Sequence, residues 1–163
     1  MILCEKGLFT LHTKHTTYQM KVGDYGVLLH TYYGPRLRGG DLSYRIRYID
    51  RGFAPNPEEA GEERGFSLDV IPEEYSTSGM GDFRLPSLEL ERPDGSRAAS
   101  LRYKSYRVEQ GKYALEGLPA FWGEAGESLI VTLEDAAAGV DVELYYGVLE
   151  DYDVITRAMR LVN

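Results

Sequence analysis

The sequence has few of the residues that hold a fold together covalently or through a metal. Its 163 residues include one cysteine, Cys4, and three histidines. A single cysteine can form neither an internal disulfide nor a thiolate cluster, so a reducing, cytoplasmic location is expected. On a strand, the three-residue spacing of His12 and His15 places their side chains on opposite faces, so no shared metal is expected. His30 has apolar neighbours and is predicted to be a satisfied core or edge residue.

The sequence also lacks long apolar runs and an excess of positive charge. No stretch approaches the ~20 apolar residues of a spanning helix, and the first residues lack a signal-peptide pattern, so neither a membrane nor secretion is expected. Eighteen lysines and arginines stand against 26 acidic residues, and the resulting net charge of −8 would repel nucleic acid. Because no glycine-rich phosphate loop precedes a helix, no nucleotide cofactor is expected either.

The rest of the composition is that of an ordinary globular domain. Hydrophobic residues make up 43% of the chain and charged residues 27%, which argues against disorder. A chain of 163 residues can build one domain with a real core, but it is too short for a sandwich plus a complete (β/α)₈ barrel. We therefore expect one domain over residues 1–163.

Apolar residues recur mostly with period two, in short runs broken by Gly, Pro, Asp and Asn, which is typical of half-buried strands. In residues 17–22, Tyr18, Met20 and Val22 are predicted to face the core and the intervening residues to face water. The sequence thus predicts an all-β, antiparallel β-sandwich with little helix. The predicted strands are residues 8–13, 17–22, 27–33, 44–49, 84–90, 101–108, 128–133, 140–148 and 154–161.

Two kinds of connection stand out between these runs. Pro93 and the Asp94-Gly95 pair supply the dihedrals of a chain reversal, which predicts a hairpin between residues 88–91 and 101–103. By contrast, the Pro-rich, acidic stretch 52–65 and residues 72–81 resist strand assignment. A loop as long as 52–65 is a candidate for function or for disorder.

Several blocks, taken together and in order along nearly the whole chain, resemble the amino-terminal region of bacterial family 36 α-galactosidases. They are KHTTY at 14–18, YYG at 32–34, IDRGFAPNP at 49–57, FSLD at 66–69, PEEY at 72–75, GDFR at 81–84 with Pro86, LEGLPA at 115–120 and YDVITR at 152–157. The resemblance implies a β-supersandwich, of which these residues form part, followed by a catalytic barrel and a small carboxy-terminal β domain.

The resemblance also implies where the chemistry resides. A retaining glycosidase needs two carboxyl groups about 5 to 5.5 Å apart. In the family, both catalytic aspartates lie on the barrel in Lys-Trp-Asp and Gly-Gly-Gly-Arg-Phe-Asp motifs, and neither motif occurs here. No catalytic residue is expected, so the isolated chain should be inactive. The remaining candidate carboxylates are interpreted as solvated or turn-capping groups: Asp50, Asp69, Glu73, Glu74 and Asp82.

The resemblance points to Asp50 and Arg51, with Arg64 at the far end of the long loop, as substrate-binding residues. In family tetramers the sandwich of one subunit lies over the active site of its neighbour, and residues at these positions help to close the sugar pocket. A carboxylate can accept hydrogen bonds from two adjacent sugar hydroxyls, and an arginine can donate to sugar oxygens. From the residues alone, an Asp-Arg pair that only orders the loop is the alternative.

Two further motifs are interpreted structurally. Asp82 is predicted to cap a tight turn that Gly79 and Gly81 allow, with Phe83 in the core and Arg84 paired locally. The alternative places Asp82 and Arg84 at an interface. Trp122, next to Phe121, is interpreted as a core or interface aromatic, although such a ring can also stack on a sugar.

The expected function is therefore that of a non-catalytic domain of a homo-oligomeric, tetrameric α-galactosidase. Its partners would be α-galactosides such as melibiose and raffinose. Two alternatives remain open from the sequence: a β-sandwich that binds carbohydrate by itself, and a purely structural oligomerisation domain.

Overall fold

The computed structural model describes residues 1–50, 52, 56–119 and 126–163. Its eight strands are β1 Ile2–Glu5, β2 Leu8–His12, β3 Thr16–Val22, β4 Leu28–Pro35, β5 Arg102–Gln110, β6 Glu127–Asp135, β7 Val140–Leu149 and β8 Val154–Val162. Short 3₁₀ turns occupy Asp24–Gly26, Ser43–Arg45, Glu58–Ala60 and Glu150–Tyr152. In these described ranges, no helix is long and apolar enough to cross a membrane.

The strands form two four-stranded antiparallel sheets, β1-β2-β3-β4 and β5-β6-β7-β8. The period-two pattern places the apolar side chains of both sheets in one core, which confirms the predicted antiparallel β-sandwich. The fully buried members of this core include Phe9, Leu11, Met20, Leu129, Val131 and Val142.

The predicted runs 8–13, 17–22, 27–33, 101–108, 128–133, 140–148 and 154–161 correspond to β2 through β8. Strand β1 was not predicted, because its four residues offer only Ile2 and Cys4 to the core while Leu3 is half exposed. The second sheet is in register over long ladders, with β6 and β7 paired from Glu127 opposite Val148 to Asp135 opposite Val140.

The predicted strand 44–49 is wrong. It begins inside the 3₁₀ turn Ser43–Arg45 and continues as an extended segment outside both sheets. Its alternating side chains are nevertheless used, since Ile46 packs against a second apolar cluster. An alternating pattern indicates an extended chain with two different faces, but not a backbone partner.

The predicted strand 84–90 and the predicted hairpin are also wrong. Pro86 cannot donate to a ladder, and Leu88 forms only a single parallel bridge, to Thr77. The turn itself is present, because the amide of Arg92 donates to the carbonyl of Ser96 at 2.9 Å. Its flanks do not pair with each other as strands.

The outward face of β3 is buried, contrary to the expectation that it faces water. Thr17 and Gln19 are 0% and 1% exposed. The chain after β4 folds back over them: the amide of Leu37 donates to Thr17 Oγ1 at 2.9 Å, and the amide of Leu42 donates to Gln19 Oε1 at 2.9 Å. Gln19 Nε2 in turn donates to the carbonyl of Gly40 at 2.8 Å. The polar residues on this face are therefore hydrogen-bonding partners for a loop.

A buried carboxylate connects the two sheets. The side chain of Glu74, which lies in the long connection between the sheets, is 1% exposed. It accepts hydrogen bonds from the hydroxyl of Tyr18 on β3 at 2.7 Å and from that of Tyr146 on β7 at 2.8 Å. It also accepts one at 2.7 Å from Arg157 Nη2 on β8. The interpretation of Glu74 as a solvated or turn-capping carboxylate is therefore wrong.

The Glu74→Gln variant should lose stability, because the amide has no charge to balance Arg157 and presents donors to two hydroxyl donors. Breaking a buried pair costs about 3–5 kcal/mol, and the half-exposed position of Arg157 reduces this to about 2–3 kcal/mol. Urea unfolding measures the change. Glu91→Gln is the control, since Glu91 pairs with Arg97 on the surface and should cost under about 1 kcal/mol. Equal losses in both variants would contradict the role assigned to Glu74.

Gly79, at the predicted tight turn, closely approaches the backbone of Ala98. Its φ is +86°, and a Cβ placed there would lie 2.6 Å from the Cα of Ala98. The Gly79→Ala variant should therefore lose more than about 2 kcal/mol. Gly95→Ala is the matched control, because Gly95 has a similar φ of +81° but nothing within 4 Å of that Cβ. Thermal unfolding of both variants separates crowding from backbone strain, and equal melting temperatures would show that crowding is unimportant.

Candidate functional site

Residues before and after the long loop 52–65 pack in a second apolar cluster. Phe66, directly after the loop, is 1% exposed. The ring of Tyr48, which precedes the loop, stacks on Phe66 with centroids 5.8 Å apart, and Tyr25 meets the same ring edge-on at 4.9 Å. Both ends of the loop are thereby fixed. The buried members of this cluster are Val27, Leu29, Phe66, Leu68 and Ile71.

The structure brings Asp50 and Arg64 together at the neck of this loop. Arg64 Nη2 lies 3.4 Å from Asp50 Oδ1 and donates to the carbonyl of Gly52 at 2.5 Å. The amide of Gly52 donates to Asp50 Oδ1 at 2.7 Å. Arg51, the third predicted substrate-binding residue, lies outside the described residues, as do Phe121 and Trp122.

The pair both orders the loop and remains accessible. The side chains of Asp50 and Arg64 are 56% and 55% exposed. Each uses only part of its hydrogen-bonding capacity on Gly52, since a carboxylate can accept about four bonds and a guanidinium can donate five. The arrangement can therefore present an acceptor and a donor, side by side and already oriented, to a polyhydroxylated ligand.

Hydrogen bonds between side chains and backbone hold the acidic part of the loop in place. Asn56 Nδ2 donates to the carbonyl of Glu63 at 2.8 Å, and the Glu63 carboxylate accepts from the amide of Gly65 at 2.7 Å. The 3₁₀ turn Glu58–Ala60 buries Ala60. These contacts limit the freedom of the segment that leads to Arg64.

Asp82 and Arg84 form the predicted local pair. Asp82 Oδ1 accepts from the amide and Nε of Arg84 at 2.9 and 2.8 Å, while Arg84 Nη2 donates to the carbonyls of Leu68 and Ile71 at 2.8 and 2.9 Å. Burial opposes the charge on Asp82, but the hydrogen bonds from Arg84 hold the pKa of that carboxyl below its ordinary value. The prediction that Phe83 lies in the core is wrong, because it is 78% exposed.

Glu73 is a second carboxylate whose burial the sequence did not reveal. Burial, aided by the negative charge of Asp82, raises its pKa to about 7, although Arg84 and Arg102 act in the opposite direction. Its Oε1 is buried without a hydrogen-bond partner in the part of the chain that the structure describes. The interpretation of Glu73 as a solvated or turn-capping group is therefore wrong for Oε1, which is buried and accepts no hydrogen bond from the described residues. Its neighbours Pro72 and Glu74 gave no periodic signal that could have shown this.

The histidines serve local roles. His12 is buried, and its Nδ1 lies 2.8 Å from Thr17 Oγ1. His30 Nδ1 lies 3.3 Å from Glu74 Oε2, at the edge of the buried network. Among the described residues, no group of three His, Cys, Asp or Glu side chains is placed to hold a metal ion.

Taken together, two antiparallel sheets on one core define a β-sandwich domain, and the exposed Asp50–Arg64 pair is its candidate site. Comparison with known sequences identifies the family of this β-sandwich domain. Residues 26–163 match the sequence profile of the glycosyl hydrolase family 36 N-terminal domain. The chain belongs to this family.

Similarity to individual α-galactosidases agrees with this family assignment. The bifunctional alpha-galactosidase/sucrose kinase AgaSK of Mediterraneibacter gnavus is 48% identical over 97% of this chain. The solved galactosidase domain of AgaSK superposes on 99% of the chain with a TM-score of 0.95 at 46% identity. A variant of alpha-galactosidase AgaA from Geobacillus stearothermophilus, solved in complex with raffinose, covers 96% with a TM-score of 0.90 at 37% identity. This chain spans 17% of the curated AgaSK sequence and 23% and 22% of the two solved chains.

The partly buried position of Glu73 should contribute a fall in stability as pH rises. The folded state holds a proton up to about pH 7, whereas the unfolded chain releases it near the ordinary value of 4.5. Between these values the folded state binds more protons, so the free energy of unfolding decreases with rising pH and levels off above 7. Glu73→Gln should flatten this slope and be more stable than the parent by about 1–2 kcal/mol at pH 8.

Urea unfolding at several values from pH 4.5 to 8 measures this effect. Glu58→Gln, at an exposed position of the 3₁₀ turn, is the control and should keep the slope of the parent. An unchanged slope in Glu73→Gln would show that Glu73 is not the group responsible.

Proposed function

We propose that this chain acts as the amino-terminal, non-catalytic domain of an α-galactosidase that hydrolyses terminal α-linked galactose from oligosaccharides. The observation that carries the proposal is the near-complete match of the chain to one part of the alpha-galactosidase relatives, with the same fold over 99% of its length. Catalysis is assigned to the portion of those proteins that this chain does not span. The single cysteine supports a cytoplasmic location.

Within that enzyme, the proposed task of Asp50, Arg51 and Arg64 is to contact galactose in the active site of a neighbouring subunit of a homotetramer. The support is chemical and geometric. The Asp50 carboxylate and the Arg64 guanidinium are more than half exposed on a loop fixed at both ends. A pre-ordered donor and acceptor lose little conformational entropy when they bind a sugar.

A purely structural role is the second candidate. It is favoured by one observation, the use of both side chains to hold the backbone of Gly52. In that case the Asp50–Arg64 pair would stabilise the loop and nothing else. The two candidates differ in what loss of one side chain does to catalysis.

The test uses the complete enzyme that contains this domain and a chromogenic α-galactoside. Asp50→Ala and Arg64→Ala should each lower kcat/KM about 10- to 100-fold, since each removes a charged hydrogen bond to substrate. Sedimentation should show an intact tetramer in both. Glu62→Ala is the control, because it removes an exposed carboxylate from the same loop. The isolated 163-residue chain should show no activity.

Three results would contradict this assignment. Activity of the isolated chain would show that the catalytic groups lie within it. Parental kinetics in both variants would leave only the structural role. Dissociation of the tetramer in parallel with the loss of activity would make the pair an assembly contact instead of a sugar contact.

A further inference from the structure

A groove of about 710 Å³ lies beside the Asp50 loop. One wall is the outer part of β4 and the other is the extended segment before Asp50. Its volume falls in the range of about 300–1,000 Å³ that is typical of ligand sites. The first wall includes His30, Tyr32 and Tyr33, and the second includes Arg45, Arg47 and Ile49.

The second wall is built by the segment that was wrongly predicted as a strand. Because its side chains alternate, Arg47 and Ile49 line this groove, whereas Tyr44 and Tyr48 line a different pocket. Tyr48 is held by stacking on Phe66. This stacking fixes the position of the second wall. The last residue of that wall, Ile49, directly precedes Asp50.

The groove lining combines donors with flat apolar surface. Arg45 and Arg47 are exposed, and in the described ranges neither has an ion-pair partner, although acidic residues outnumber basic ones by 26 to 18. Tyr33 is 65% exposed. Guanidinium groups donate to hydroxyl and ring oxygens, and aromatic rings pack against the C–H face of a sugar. This combination fits a neutral oligosaccharide.

We propose that the groove between β4 and residues 45–49 binds the sugar units that lie beyond the terminal galactose of longer α-galactosides. The inference rests on the proposed contact of Asp50 with galactose, because Ile49 of the groove is the residue next to Asp50, and a sugar bound at Asp50 would lie beside the groove. Arg45, Arg47 and Tyr33 would then be specificity residues for substrate length. They have no part in bond cleavage.

The test compares two substrates in the complete enzyme: raffinose, which has two sugar units beyond galactose, and an aryl α-galactoside, which has none. Arg47→Ala and Tyr33→Ala should each lower kcat/KM for raffinose about fivefold and leave the aryl galactoside within about twofold. The effect should lie mainly in KM, because these contacts bind ground state and transition state alike. Arg45→Ala, the variant of the second arginine in the groove, is compared on the same two substrates.

Matched controls lie outside the groove. Arg38→Ala removes another exposed arginine, and Tyr44→Ala removes a tyrosine that is 78% exposed on the opposite face of the segment. Neither should change the ratio of the two kcat/KM values. Circular dichroism and the melting temperature check that every variant folds.

The outcomes separate this inference from the proposal on which it rests. If Asp50→Ala weakens both substrates but the groove variants leave the ratio unchanged, only the groove assignment fails. If Asp50→Ala has parental kinetics, the sugar contact fails and the groove assignment fails with it. If Arg45→Ala and Arg47→Ala dissociate the oligomer without selectivity for raffinose, the groove binds an acidic surface of a partner subunit and the inference is overturned.

Discussion

The architecture depends on one desolvated charge, the carboxylate of Glu74 between the two sheets. An ionised carboxylate in such a place is tolerable only when its oxygens are fully hydrogen-bonded and an opposite charge is near. Tyr18, Tyr146 and Arg157 meet both conditions from three different strands. The apolar core can tolerate small shifts of one sheet on the other, whereas this network tolerates few. It therefore sets the relative position of the sheets.

The same connection between the sheets carries the candidate site. From β4 onward the chain covers the polar face of β3, builds the cluster around Phe66 and projects the loop between Asp50 and Arg64. The candidate site is thus a loop fixed at both ends on a sandwich, and loops on a stable scaffold often carry functional residues. Fold and site are physically coupled through this connection, although the site itself is on the surface.

Period-two alternation in the sequence was sufficient to predict seven of the eight strands and the sandwich, because burial of one face leaves a direct pattern. It failed for residues 44–49 and 84–90, where alternation occurs outside the sheets, and for Glu74, whose burial depends on distant strands. Asp50 and Arg64 were named together only through the resemblance to a family, and the structure places their charged atoms 3.4 Å apart. The two residues lie 14 positions apart in the sequence, and no local rule links their side chains.

Every ladder in the two sheets joins strands that are consecutive in sequence, so each sheet is a local meander. Local pairings close short loops and form early, whereas the contact between the sheets must wait for a connection of some 65 residues to settle. Each meander would then exist for a time with its inner apolar face open to water. The nascent chain is therefore most prone to aggregate after both meanders have formed and before Glu74 reaches its three partners.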